Sequence, residues 1–100
     1  MQNIGDEPRI ALIYGNLGFI YQNEGNVVQA MTCYKQALLV LERIGDKHNS
    51  AILHNNLGLL YFDQSQFAEA RVHLLKAKEL YEMIGDNQGV WNTEQELQRL

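Results

Sequence analysis

Ala11-Leu12-Ile13-Tyr14-Gly15-Asn16-Leu17-Gly18-Phe19-Ile20-Tyr21 is followed by Ala51-Ile52-Leu53-His54-Asn55-Asn56-Leu57-Gly58-Leu59-Leu60-Tyr61, the same pattern 40 positions on. The offset holds along the chain. Ile4-Gly5-Asp6 returns as Ile44-Gly45-Asp46 and Ile84-Gly85-Asp86, and Ala30, Ala37 and Glu42 return as Ala70, Ala77 and Glu82. A period of roughly 20–50 residues marks a stacked array, in which each unit buries its apolar face against its neighbours. Such arrays present extended binding surfaces.

The spacing inside each unit is helical. Ile10, Ile13, Leu17, Ile20 and Tyr21 recur at steps of three and four, the periodicity of one helix face. Asp6-Glu7-Pro8 suits a helix start, because acidic residues complement the helix dipole and Pro is tolerated in the first turn. Asn23-Glu24-Gly25-Asn26 stops the pattern: Gly25 takes the left-handed turn and Asn26 caps a second helix. That helix carries Val27, Ala30, Tyr34, Ala37, Leu38 and Leu41 inward and closes at Gly45. The second unit predicts a helix from about His48 to Phe62, a turn at Asp63-Gln64-Ser65, and a helix from about Gln66 to Ile84. Ser65 in place of Gly25 makes that turn less relaxed. A fifth helix runs from about residue 87 to 100. Gly18 and Gly58 each cost about 1 kcal/mol against Ala inside a helix. Their recurrence implies close packing, with Ala30, Ala37, Ala70 and Ala77 as the opposing small residues. Trp91 and Leu97 are expected to face inward on the fifth helix.

These residues resemble the tetratricopeptide repeat. The first unit carries Tyr14, Leu17-Gly18, Tyr21, Ala30, Tyr34 and Ala37; the second carries His54, Leu57-Gly58, Tyr61, Ala70, Leu74 and Ala77. His54 and Leu74 stand where aromatics are usual, and Glu42 and Glu82 replace the closing Pro. The 40-residue unit is longer than the usual repeat of about 34. It looks like the longer-repeat subgroup of the family. The resemblance implies an all-α fold, a right-handed α–α superhelix of antiparallel hairpins. It reads as one domain over 1–100: repeat 1 at about 7–45, repeat 2 at about 47–85, and a capping helix at about 87–100. Ile4-Gly5-Asp6 reads as the tail of an earlier repeat, so the chain is either complete or a piece of a longer array.

In this family the first helix of each unit lines a concave groove that binds peptides or partner domains. The resemblance places Leu12, Gly15, Asn16, Phe19, Gln22 and Asn23 there from the first unit. From the second it places Ile52, Asn55, Asn56, Leu59, Phe62 and Asp63, with Asn92, Gln95, Glu96 and Arg99 extending the row. Helical spacing agrees, since Ile52, Asn55, Asn56, Leu59 and Phe62 form a stripe distinct from Leu53, Leu57, Leu60 and Tyr61. An amide offers both donor and acceptor, so Asn16 and Asn56 suit the backbone of an extended peptide; the other reading is local bonding within the stack. Phe19, Leu59 and Phe62 offer apolar contact, to a ligand or to neighbouring first helices. The family's carboxylate clamp is not reproduced. Asn56 matches it, but Gly15, Phe19, Asn92 and Glu96 stand at its other positions, leaving no cationic cradle for a chain-terminal carboxylate.

Composition excludes other classes. A net charge of −4 with scattered Lys and Arg argues against nucleic acid, which needs a clustered basic face. No stretch is apolar enough to span a bilayer, and Met1-Gln2-Asn3-Ile4 lacks the parts of a signal peptide. Cys33 is the only cysteine, so no internal disulfide forms, and it reads as a small residue on a helix. Solubility and a free thiol fit a cytoplasmic protein. His48, His54 and His73 lack metal-ligand spacing, and His54 reads as a core residue. Glu79 and Glu82 read as solvated helix charges. No phosphate loop or nucleophile elbow is present, so neither enzyme activity nor a cofactor is expected. The sequence thus predicts a non-catalytic module binding a protein or peptide. The alternatives are a homo-oligomeric scaffold assembled through an open face carrying Ile10, Ile13 and Ile20, and a regulatory segment of a larger protein.

Overall fold

A computed structural model describes residues 6–100; the expected tail of an earlier repeat at Ile4-Gly5 lies outside them. The described residues form five helices: α1 Glu7–Asn23, α2 Val27–Ile44, α3 Lys47–Asp63, α4 Phe67–Ile84 and α5 Asn87–Gln98. The fold is an all-α helical repeat array. It divides after Asp46 into two compact units, α1–α2 and α3–α5.

One device closes the first four helices. At the end of α1 the Asn26 N–H donates to the Tyr21 carbonyl at 2.9 Å and the Gly25 N–H to Gln22 at 3.0 Å. This paired closure needs a left-handed residue, supplied by Gly25 at φ 78°. Gly45 and Gly85 do the same for α2 and α4. At the end of α3 Ser65 takes the left-handed conformation at φ 60°, a strained substitute as the sequence implied. At Asn26 and Asp86 the residue after the turn also caps the next helix. The Asn26 side chain accepts from Gln29 N–H at 3.4 Å, and Asp86 from Gly89 N–H at 3.0 Å. The Gly85-Asp86 pair of the repeated marker therefore ends one helix and starts the next.

In the first unit α1 and α2 lie antiparallel. The Arg43 guanidinium near the end of α2 pairs with Glu7 at the start of α1, 3.1 Å apart. Tyr34 is buried, and its hydroxyl donates to Gln22 Oε1 at 2.8 Å. A Cβ added at Gly18 would lie 2.7 Å from two atoms of the Tyr34 ring. The glycine is thus matched to a large aromatic ring. In the second unit Gly58 faces Leu74 in the same way, with the Ala70 carbonyl 3.3 Å from the added Cβ. Ala51 and Ala77 cluster with Leu80 and Tyr81, and Val90 of α5 packs against them.

α1 buries little. Only Ala11 and Gly18 are buried on it, whereas Ile10, Ile13, Leu17 and Ile20 are exposed. The positions one period on in α3, Ser50, Leu53, Leu57 and Leu60, are all buried. Of the residues expected inward on α2, Ala30, Tyr34, Ala37, Leu38 and Leu41 are buried and Val27 is half-buried; Cys33 and Val40 are buried as well.

α5 packs on α4 through Gly89, where an added Cβ would enter the Tyr81 ring. Lys78 pairs with Glu94 at 3.3 Å. Thr93 is buried and its hydroxyl donates to the Gly89 carbonyl at 2.7 Å. Trp91 does not face inward as expected; it is 57% exposed. It occupies the register of Ala11 and Ala51, which are buried. A Trp cannot enter the space those alanines fill, so α5 turns it out and packs with Gly89, Val90 and Thr93 instead.

Candidate functional site

The first-helix residues divide by unit. On α1, Leu12, Asn16, Phe19 and Asn23 stand exposed on one face, at steps of four, three and four. Leu12 and Phe19 are among the most exposed large apolar side chains. Gly15 is half-buried, and Gln22 is occupied by the Tyr34 hydroxyl, so Gln22 serves the core of its own unit. On α3, Ile52, Asn55, Asn56, Leu59 and Phe62 are half-buried and Asp63 is exposed. Beside them Leu53, Leu57, Leu60 and Tyr61 are buried, so the two stripes are distinct.

The second unit also places part of its α3 stripe against α5. A cleft of about 270 Å³ is lined by Asn55 of α3, Tyr81 of α4, and Trp91, Asn92, Gln95 and Glu96 of α5. Of the residues expected from the resemblance to extend the groove, Asn92, Gln95 and Glu96 line this cleft together with Asn55. Arg99 lies over the Phe62 ring, its guanidinium carbon 5.4 Å from the ring centre, a cation–π distance. Phe62 also meets Phe67 edge-on at 5.4 Å.

The cleft is electrostatically uneven. Burial pushes the Glu96 carboxyl above its ordinary range, although a hydrogen bond from the Asn55 amide and the charge of Arg99 pull the other way. The Tyr81 hydroxyl is raised too, by burial first and then by the charges of Asp86 and Glu96. Two oxygens, Asn55 Oδ1 and Glu96 Oε2, are buried with no hydrogen-bond partner. Native structures contain few such atoms.

The repeat pattern missed two things. Trp91 joins the cleft because it is turned outward; its departure from the Ala11 and Ala51 register was the available signal. His54 and His73 meet across α3 and α4, with their Nδ1 atoms 3.0 Å apart, and Tyr61 stacks on His73 at 5.4 Å. Spacing within one helix cannot show a pair split between two. His54 is buried as expected. No group of three or more metal-ligating side chains gathers among the described residues.

The family model of the tetratricopeptide repeat matches residues 9–83. The chain belongs to the tetratricopeptide repeat family. Its match spans both helix hairpins and ends just before the turn into α5. Tetratricopeptide repeats are protein–protein interaction modules, and that general role follows for this chain. No curated protein matches it in sequence. Among solved structures it is similar to the crystal structure of BtubC (BKLC) from P. vanneervenii, at 22% identity with a TM-score of 0.66. The likeness covers 95% of this chain and 48% of that one, so the chain spans about half the length of that protein. At that identity the likeness shows the fold. Among the described residues no helix is long and apolar enough to cross a membrane.

Proposed function

We propose that this tetratricopeptide repeat chain is a non-catalytic module that binds a peptide segment along the faces of its first helices. Leu12, Asn16, Phe19 and Asn23 of α1 and Ile52, Asn55, Asn56, Leu59, Phe62 and Asp63 of α3 make the contacts. The observation that carries this reading is the outward face of α1. Leu12 and Phe19 are 63% and 58% exposed and flank an exposed Asn16. Exposed apolar side chains interleaved with amides suit a peptide, whose side chains seek apolar contact and whose backbone needs both donor and acceptor. A contact surface this small supports roughly micromolar affinity.

Panning a displayed library of random peptides, followed by amide shift mapping with a selected peptide, tests it. Shifts concentrated at 12–23 and 52–63 are expected. Shifts confined to α2 and α4 would place the binding surface elsewhere.

Self-assembly is the second reading, favoured by one specific observation. Leu17 is 38% exposed while Leu57, one period on, is fully buried, and Ile10, Ile13 and Ile20 share that exposed face. A second copy docking there would cover it. Light scattering across a concentration series decides: a strict monomer at high concentration removes this reading.

A further inference from the structure

We propose that the cleft between α3 and α5 is a recognition pocket for a single basic side chain, arginine or lysine, of the bound peptide. The inference rests on the peptide-binding reading and names one specificity determinant within it.

The cleft holds two oxygens that lack a partner, Asn55 Oδ1 and Glu96 Oε2. Both are acceptors, so a donor would satisfy them. The interaction of the Asn55 amide with the Glu96 carboxyl leaves both of these oxygens unpaired, and Asn92 Oδ1 already accepts from Gln88 Nε2 at 3.0 Å. The nearby cations are engaged elsewhere. Lys78 pairs with Glu94, and Arg99 rests on Phe62, from which its charge reaches Glu96 without satisfying Oε2. A carboxylate kept from water, beside a second unpaired acceptor, favours an ionised donor over a neutral one. A guanidinium or ammonium supplies several N–H groups and the opposite charge.

Access and shape agree. Asn55 and Glu96 both contribute to the cleft wall. The last torsion of each side chain is broad, so an arriving donor can turn the unpaired oxygens toward itself, exchanging the Asn55–Glu96 bond for charge-assisted ones. Trp91 stands at the same cleft, mostly exposed. Its indole face offers the stem of a basic side chain apolar cover and its charge a cation–π contact. The overall negative charge of the chain favours a basic ligand at long range.

Trp91 is the single Trp of the chain, which makes its emission a local reporter. The experiment titrates the full chain with two acetylated, amidated pentapeptides, Ala-Ala-Arg-Ala-Ala and its citrulline counterpart, which keeps the shape and removes the charge. The arginine peptide is expected to change Trp91 emission saturably and to bind at least about tenfold more tightly than the citrulline peptide. Glu96→Gln, shown by circular dichroism to stay helical, is expected to bring the arginine peptide down to the citrulline level. Equal response to the two peptides overturns the proposal, as does no response to either up to millimolar concentration. The wild-type comparison needs no variant, so misfolding of Glu96→Gln does not blur it. Amide shift mapping separates the two levels. Both peptides shifting residues 12–23 and 52–63 alike would retain the groove and remove the basic pocket.

Discussion

Gly15 and Gly18 lie one turn apart in α1 and have opposite surroundings. A Cβ at Gly15 meets nothing within 4 Å, whereas at Gly18 it lies 2.7 Å from two atoms of the Tyr34 ring. Both changes to Ala gain the same helix propensity, about 1 kcal/mol. Only Gly18→Ala incurs overpacking, about 1–3 kcal/mol. The ring cannot easily yield, because Tyr34 is buried and its hydroxyl is tied to Gln22 of the same helix as the glycine. Gly15→Ala should therefore stabilise by about 1 kcal/mol, and Gly18→Ala should be neutral to about 2 kcal/mol destabilising. The two variants should differ by about 1–3 kcal/mol, or roughly 4–24 °C in Tm at about 4–8 °C per kcal/mol. Urea unfolding followed by circular dichroism measures both. A double-mutant cycle of Gly18→Ala with Tyr34→Ala should show positive coupling, since removing the ring relieves the clash. Equal stabilisation by the two glycine substitutions would refute the packing argument.

Ser65→Gly should raise stability by up to about 1 kcal/mol, because the left-handed conformation costs a side chain about 1–2 kcal/mol and glycine's greater unfolded freedom returns part of that; a fall in Tm would count against strain at this turn. Leu57→Ala should cost about 2–5 kcal/mol, and Leu17→Ala, one period earlier but partly exposed, about 1 kcal/mol or less; denaturant midpoints compare them directly. Glu96→Gln should raise Tm at neutral pH. The folded state lifts the Glu96 pKa above its unfolded value, so its contribution to stability is present below the ordinary carboxylate range and lost as pH rises through the lifted value. The gap between variant and wild type should close on acidification, and a gap constant with pH would contradict the burial of this carboxylate.

The helix plan is legible in the chain because its punctuation is chemical. Gly25, Gly45 and Gly85 supply left-handed closures, and Asn26 and Asp86 supply caps, so the helix ends fall within one or two residues of where these residues place them. Ser65 shows the limit of that rule: its turn is recognisable only because the period puts it at the position of Gly25. The glycines revealed close approach but not its partner. Gly18 and Gly58 look alike, yet one meets an aromatic ring and the other a leucine. That depends on the length and rotamer of the facing side chain, which spacing does not encode. Trp91 was misplaced for a related reason. Period arithmetic assigns it the register of Ala51, but an indole needs far more room than a methyl group, and α5 resolves the conflict by turning Trp91 to solvent. The stripe of Asn55, Asn56 and Phe62 was visible as helical spacing. Its meeting with Glu96 and Arg99 arises from the packing of α5 and was suggested by the family likeness alone.

The most direct test of the central claim, that the first-helix faces bind a protein partner, is a quantitative pull-down from the source lysate read by mass spectrometry. It compares the native chain with an Asn16→Ala, Asn56→Ala variant that retains its helix content. A partner captured by the native chain and lost from the variant is the expected result. The same partners retained at equal yield by both would contradict the claim.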